Sequence, residues 1–216
     1  DLAPTAAFLL DVPVPEKSQG VVRRDMLEDG DRYRPLSIVG LNDFHGQLDP
    51  STTTVTIDGR TIGTAGASQL ATLFDEEARA LPKRELLLSG GDNVGGTPPN
   101  SALLEDRPAI DVENAWDLDA TAYGNHEFDY GVPRILQHLE RANFPFLSTN
   151  IVEESTGREP PWMDTSAVFK VNGVRVGVIG STVRITPELV RADATAGLVF
   201  LDEAERIRRE SAKLRR

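Results

Sequence analysis

Three short clusters of side chains that bind metal ions in proteins occur in order along this chain, each after a short apolar run. They are Asp43-Phe44-His45, Gly90-Gly91-Asp92-Asn93 and Gly124-Asn125-His126-Glu127. Loops at the carboxyl ends of strands in an α/β sheet converge in one crevice, so ligands that are distant in the chain can meet there. Carboxylate, amide and imidazole groups suit divalent cations. The clusters therefore predict a metal site at one edge of a sheet, built from Asp43, His45, Asp92, Asn125 and His126.

Two cations in such a crevice suit chemistry on phosphate esters. Ions about 3.5–4 Å apart can hold a phosphate between them and generate hydroxide from water. Asp43 and His45 alternate on a segment expected to be extended, so both side chains should point the same way and chelate one ion. Asp92 follows two glycines, which permit a tight turn, and its carboxylate is expected to bridge the two ions.

The third cluster combines a metal ligand with a candidate acid. Asn125 supplies a neutral carbonyl oxygen, and the adjacent His126 is expected to face the substrate rather than the metal. Asp129, three residues further on, could accept a hydrogen bond from that imidazole. Such a carboxylate fixes the tautomer of a histidine and favours its protonated form.

Alternating strand and helix patterns predict an α/β fold. Three prolines interrupt residues 1–34, which are interpreted as an extended arm or linker before a domain over residues 35–216. The expected elements are strands at 36–41, 85–89, 120–123 and 146–150, helices at 67–81 (stopped by Pro82), 109–116, 132–142 and 202–216, and hairpins at 51–60 and 168–180 that turn on Asp58-Gly59 and Asn172-Gly173.

Composition excludes some functional classes. The formal net charge of −11 argues against a protein with the basic footprint of nucleic-acid binders. An acidic protein can still act on phosphate esters when bound ions supply the positive charge. Without cysteine the chain has neither disulfides nor thiolate metal sites. No apolar run approaches the roughly 20 residues that span a bilayer, and a start at Asp1 is compatible with a removed signal peptide.

The runs Leu41-Asn42-Asp43-Phe44-His45-Gly46, Gly91-Asp92-Asn93 and Gly124-Asn125-His126-Glu127-Phe128-Asp129-Tyr130-Gly131 closely resemble calcineurin-like metallophosphoesterases. Within that family they look like the secreted 5′-nucleotidase and UDP-sugar hydrolase branch. The resemblance implies a layered β-sheet sandwich flanked by helices (four layers, αββα). It also implies two divalent metal ions (Zn, Mn, Fe or Co) and a secreted, cell-surface or periplasmic location.

The same resemblance implies a role for each site residue. Asp43 and His45 would hold the first metal, Asp92 would bridge, and Asn125 would hold the second. His126, paired with Asp129, would stabilise the transition state and assist the leaving group.

One departure from the family pattern concerns histidine. The family's site also uses a histidine after a later strand and then a Gly-His-x-His cluster. The chain contains only His45, His126 and His138, and His138 lies in a predicted helix, where a surface position is expected. We therefore expect the amino-terminal part of a catalytic domain, incomplete at its carboxyl end and inactive alone. The missing part of the same protein would complete the site.

Three functions are compatible with these observations. The leading interpretation is a metal-dependent hydrolase of nucleotide phosphomonoesters or other small phosphate esters. A phosphodiesterase, an extracellular nuclease or a UDP-sugar hydrolase could use the same site. A non-catalytic scaffold that retains half a metal site is the alternative from another class. A Gly-His-x-His cluster encoded beyond Arg216 would favour the enzyme.

Overall fold

The computed structural model describes residues 6, 7, 9, 36–51, 54–80 and 86–216. The arm predicted for residues 1–34 lies almost wholly outside the described residues. The same holds for Pro82, which was predicted to end the first helix.

Strands and helices alternate through the described chain, as the apolar patterning predicts. In chain order the elements are β1 (Ile38–Leu41), β2 (Thr54–Ile57), β3 (Arg60–Gly63), α1 (Ala67–Ala80), β4 (Leu86–Ser89), α2 (Pro99–Ala102), α3 (Arg107–Ala115), β5 (Ala120–Ala122), a 3₁₀ turn (His126–Phe128), α4 (Val132–Arg141), β6 (Phe146–Leu147), β7 (Ile151–Glu153), β8 (Ser166–Val171), β9 (Val174–Ile179), α5 (Thr186–Leu189), β10 (Leu198–Phe200) and α6 (Glu203–Leu214).

A parallel sheet of four strands, in the order β1-β4-β5-β6, forms the centre of the fold. Its register pairs Leu41 with Ser89, Ser89 with Thr121, and Thr121 with Phe146. The carboxyl ends of β1, β4 and β5 therefore lie at one edge, and each is followed directly by one of the three clusters. The α/β prediction is confirmed, and the structure adds that the central sheet is parallel.

Helices pack on this sheet through a continuous apolar core. Leu87 in β4, Ala109 and Ile110 in α3, and Ile135 in α4 are all buried and belong to one cluster of core side chains. Full burial of such an aliphatic side chain contributes about 1.5–3 kcal/mol. The core thus anchors the strands whose ends carry the clusters.

Two hairpins have the turns that their sequences predict. Asp58 and Gly59 have φ values of 50° and 75° between β2 and β3, and Asn172 and Gly173 have 52° and 80° between β8 and β9. Two consecutive positive φ values are what a two-residue type I′ turn requires, and Asn-Gly and Asp-Gly supply them at low cost.

Several short elements were not predicted from the sequence. They are α2, α5, the 3₁₀ turn and the antiparallel pair of β7 with β10. Each has only three or four residues, too few to show a hydrophobic period. Among the described helices, none combines the length and the apolar character needed to cross a membrane.

Candidate metal centre

The first two clusters run side by side beyond the sheet edge. The main-chain N–H of Asp43 donates to Gly91 O at 3.0 Å, and that of His45 donates to Asp92 O at 3.1 Å. A third bond, from Gly46 N to Asn93 O, measures 2.9 Å. The pairing of β1 with β4 therefore continues through both loops and holds Asp43, His45 and Asp92 in one place.

The backbone of the first cluster differs from the expected extended segment. Asp43 and His45 have φ values of 54° and 45°, in the left-handed region. This prediction was wrong because the loop's N–H groups are bonded to a second loop, which local sequence does not reveal. The two side chains nevertheless lie close, with 3.7 Å between Asp43 Oδ1 and His45 Nε2.

The second and third clusters touch backbone to backbone. A Cβ atom on Gly91 would lie 2.3 Å from Gly124 N, and one on Gly124 would lie 2.2 Å from Asp92 Oδ1. Both positions therefore require glycine. The close approach lets His126 N–H donate to Asp92 Oδ1 at 2.9 Å, which orients the carboxylate predicted to bridge two ions.

Side chains from all three clusters converge at this point. Single ligand atoms of His45, Asp92 and His126 all lie within 4.8 Å of one another, and the two imidazole rings are 4.8 Å apart at an angle of 81°. Asn125 lies next to His126 and is half-buried, while the Asp43 side chain is 56% exposed and is contacted by the Asn42 amide. Mixed oxygen and imidazole donors at this spacing fit a divalent cation. The ligand role of each residue stays a prediction.

His45 is held in the tautomer that a metal ligand needs. Its Nδ1 lies 2.7 Å from Gly95 O. Because a carbonyl oxygen only accepts, Nδ1 must carry the proton. The lone pair of Nε2 then faces Asp43 and is free to bind a cation, an arrangement typical of metal-ligating histidines.

His126 is paired with Asp129, as the sequence predicts. The Nδ1 atom lies 2.8 Å from Asp129 Oδ2. Burial on its own lowers the pKa of His126. The hydrogen bond and charge of Asp129, with the charges of Asp92 and Glu127, outweigh burial and raise the pKa above its ordinary value. The imidazole therefore retains its proton to a higher pH than a free histidine, a property suited to a proton donor.

Glu127 has a function in the site that sequence reasoning missed. This buried carboxylate accepts the N–H groups of Asp92 at 3.1 Å, Asn93 at 2.9 Å and Gly124 at 2.6 Å. Burial, aided by the charge of Asp92, raises the pKa of Glu127 to about 7, although the three N–H donors favour its charged form. Its place in the third cluster, directly after His126, was the available signal.

Buried aromatic rings anchor two of the loops. Phe44, between Asp43 and His45, packs edge-on against Trp116 with ring centroids 4.8 Å apart. Phe128, in the 3₁₀ turn after His126, packs against Phe200 at 5.3 Å. Phe44 in the first cluster and Phe128 directly after the third thus attach those two loops to the core.

His138 is not on the surface, contrary to the sequence-based expectation. It is 2% exposed, and its Nε2 donates to Glu105 O at 2.9 Å. Burial lowers the pKa of His138. Helix α4 turns this residue towards α3, a contact that helical periodicity alone did not reveal.

Comparison with known proteins yields a family and several longer relatives. The calcineurin-like phosphoesterase family matches residues 36–188. An endonuclease of Bacillus subtilis is 30% identical over 84% of this chain and 16% of its own length, and a cell wall protein of Listeria monocytogenes is 32% identical over 84% and 26%. A 5′-nucleotidase precursor of Thermus thermophilus aligns with a TM-score of 0.69 at 31% identity, over 83% of this chain and 34% of that protein. The chain thus spans at most 34% of these relatives.

Proposed function

The chain belongs to the calcineurin-like phosphoesterase family, and from that membership we propose that it forms part of a metal-dependent enzyme that hydrolyses nucleotide phosphomonoesters. The observation that carries this proposal is the convergence of His45, Asp92 and His126 within 4.8 Å at one sheet edge. The 5′-nucleotidase among the similar structures supports the choice of substrate class.

Each side chain has a proposed task in this reaction. Asp43 and His45 would hold one divalent cation, Asp92 would bridge to a second, and Asn125 would bind that second ion. When bound, such cations supply positive charge to the phosphoryl oxygens and lower the pKa of water. Zn, Mn, Fe and Co all suit this donor set.

His126 would donate the proton that the leaving oxygen needs. Asp129 accepts the Nδ1 proton, so the opposite nitrogen is the one available to the substrate. The raised pKa keeps a larger fraction of the imidazole protonated near neutral pH. Asp129 therefore acts by orienting His126 and by stabilising its charged form.

The rest of the domain is proposed from the family. We expect a longer natural protein to complete a four-layer αββα sandwich and to supply the imidazoles that this chain lacks. In this view residues 1–34 are an arm and residues 35–216 the amino-terminal portion of the catalytic domain. The cell wall protein and the nucleotidase precursor among the similar proteins support a location outside the cytoplasm.

A second candidate activity is cleavage of phosphodiesters. The similarity to an endonuclease supports it, whereas the net charge of −11 disfavours binding of long polynucleotides. UDP-sugars are a third substrate class for the same site. A non-catalytic scaffold is less favoured, because a scaffold has no need for a proton donor paired as His126 is with Asp129.

Turnover by the natural protein that contains this chain distinguishes these functions. The protein is reconstituted separately with Zn²⁺, Mn²⁺ and Co²⁺ and assayed with AMP, UDP-glucose, bis(p-nitrophenyl) phosphate and single-stranded DNA. We expect the highest kcat/KM with AMP. Preference for the diester or DNA would support the second candidate, and no turnover with any substrate would support the scaffold.

Asp92→Asn is the test variant, and Asp117→Asn is its matched control. Both aspartates have a φ of 55°, so asparagine suits both backbones. Asp117 is exposed and lies outside the site. Loss of turnover in both variants would contradict the assignment of Asp92.

A further inference from the structure

One buried carboxylate near the site has no place in the chemistry proposed above. Asp106 is 1% exposed and precedes helix α3. Its Oδ1 accepts the hydroxyl groups of Thr97 at 2.5 Å and Ser101 at 2.9 Å, and its Oδ2 accepts Gly95 N–H at 3.2 Å. The carboxylate thus holds both ends of the segment from Gly95 to Ser101.

The turn at Gly95 and Gly96 lies between the two histidines of the site. Gly95 O accepts the Nδ1 proton of His45 at 2.7 Å. On its other side, a Cβ atom on Gly95 would lie 2.6 Å from Asp129 Oδ2 and 2.9 Å from His126 Cβ. A small displacement of this turn would therefore change the surroundings of both imidazoles.

The backbone at Asp106 has an unusual conformation, and a contact with His138 also helps to hold it. Glu105 and Asp106 have φ values of 61° and 58°, which residues other than glycine rarely adopt. The Glu105 carbonyl accepts a hydrogen bond from the buried His138. Conformations of this kind persist only where surrounding contacts determine them, and they cluster near functional sites.

We propose that Asp106 is a positioning residue for the metal centre, which fixes the Gly95 carbonyl and through it keeps His45 protonated at Nδ1 with Nε2 free. Only the identification of the Nε2 partner as a metal ion rests on the proposed function. The effect on the tautomer of His45 stands independently of it.

The physical consequence concerns which nitrogen of His45 can bind a cation. A free neutral imidazole favours the proton on Nε2. If Gly95 O moves away, Nδ1 loses its acceptor, and His45 can adopt that commoner form. The proton then occupies the nitrogen that would face the ion. Loss of such an outer partner of a metal ligand typically lowers metal affinity by about 10–100-fold.

Three variants separate this effect from general destabilisation. Asp106→Gly removes the carboxylate while suiting a φ of 58°. Asp106→Asn also suits that φ and keeps an oxygen for Gly95 N–H, since the two hydroxyl groups can accept from its amide. Asp117→Gly, at an exposed aspartate with a φ of 55°, is the matched control.

The primary measurement is the tautomer of His45 by long-range ¹⁵N–¹H NMR at pH 8 on the metal-free 216-residue chain. The chain has only three histidines, so labelled imidazoles are resolved individually. We expect the Nδ1-protonated form in the wild-type, Asp106→Asn and Asp117→Gly proteins. In Asp106→Gly we expect His45 to shift towards the Nε2-protonated form. Should that variant not fold, Asp106→Ser provides the same test, because its hydroxyl is one atom shorter.

A folded Asp106→Gly protein whose His45 remains fully protonated at Nδ1 would overturn the proposal. A change of the same size in Asp106→Asn would also overturn it, because that variant keeps the acceptor. Mn²⁺ affinity of the natural protein is the second readout, with a loss of about 10–100-fold expected in Asp106→Gly. If the wild-type protein itself binds no Mn²⁺, Zn²⁺ or Co²⁺, the proposed function fails while the tautomer result still decides the role of Asp106.

Discussion

The carboxylate of Glu127 accepts the main-chain N–H of Asp92 at 3.1 Å, and this bond joins the third cluster to the second. The same buried group accepts the N–H groups of Asn93 and Gly124. The relative position of the two loops therefore depends on one side chain that need not touch substrate or metal.

Replacing Glu127 should destabilise the protein and loosen the contact between the second and third clusters. Glu127→Ala leaves three N–H groups without their acceptor, and we expect the free energy of unfolding to fall by about 2–4 kcal/mol. Glu127→Gln keeps one carbonyl oxygen as an acceptor, so its free energy of unfolding should fall by less. Urea unfolding measures both, with the exposed Glu154→Ala as control, where a change within about 0.5 kcal/mol is expected. A loss of stability in Glu127→Ala no larger than that in Glu154→Ala would contradict the role assigned to Glu127.

His126 and Asp92 should respond differently to truncation in the natural protein. His126→Ala removes the proposed acid, so kcat should fall by about 10²–10⁴ while metal content stays nearly intact. Asp92→Ala removes the proposed bridging ligand, so metal occupancy should fall together with the rate. Elemental analysis alongside steady-state kinetics distinguishes them. If His126→Ala strips the metals and Asp92→Ala does not, the two roles are reversed.

Asp129→Asn should shift the pH dependence of the reaction. The hydrogen bond and charge of Asp129 raise the pKa of His126, so their removal lowers that pKa. A group that acts as an acid loses activity as pH rises through its pKa. The alkaline limb of the kcat/KM profile should therefore move to lower pH in the variant. An unchanged alkaline limb would show that another group is the acid.

The 216-residue chain alone should bind metal weakly. In the proposed assignment, Asp43, His45 and Asp92 would supply three ligands for one ion, and Asp92 and Asn125 would supply two for a second. A catalytic zinc site needs about three protein ligands and water. We expect at most one loosely bound ion and negligible turnover of p-nitrophenyl phosphate, measured after purification without chelators. Two tightly bound ions per chain with robust turnover would refute this prediction.

Glu113 is a buried acid whose replacement should stabilise the fold. It is fully buried in α3, and neither carboxylate oxygen has a hydrogen-bond partner among the described residues. Burial, with the charge of Glu127, raises its pKa well above the ordinary value. Glu113→Met has a similar volume and removes the polar group, so we expect a gain of about 1–3 kcal/mol at pH 8.

The pH dependence of that gain follows from the direction of the pKa shift. In the unfolded chain Glu113 ionises near its reference pKa of about 4.3. In the folded protein it stays neutral to higher pH. Wild-type stability should therefore fall as pH rises from about 4.3 towards the raised pKa, and Glu113→Met should lack this contribution. Urea unfolding at pH 5 and pH 8 checks it. A gain at pH 5 at least as large as that at pH 8 would contradict the assignment.

Local sequence was sufficient for the main elements of the fold. The three leucines of β4, the Asp58-Gly59 turn and the apolar spacing of α1 each depend on a few neighbouring residues, and all three were placed within a residue or two. The positions of the clusters at strand ends follow from those elements. An apolar run followed by glycine and polar residues can be recognised in the sequence without tertiary information.

Contacts between distant residues decided the rest. Groups far apart in the chain determine the left-handed backbone of His45 and the burial of His138. The same is true of the hydrogen bond from Gly95 N–H to Asp106. Asp106 looks like an ordinary surface acid in the sequence, and although Glu127 lies in the third cluster, nothing local shows which N–H groups either carboxylate will meet. The sequence by itself identified the residues that we propose as carriers of metal-site chemistry. Only the packing of the three loops decided which carboxylates hold those residues in place, since hydrogen bonding to buried main-chain groups is settled when the chain folds.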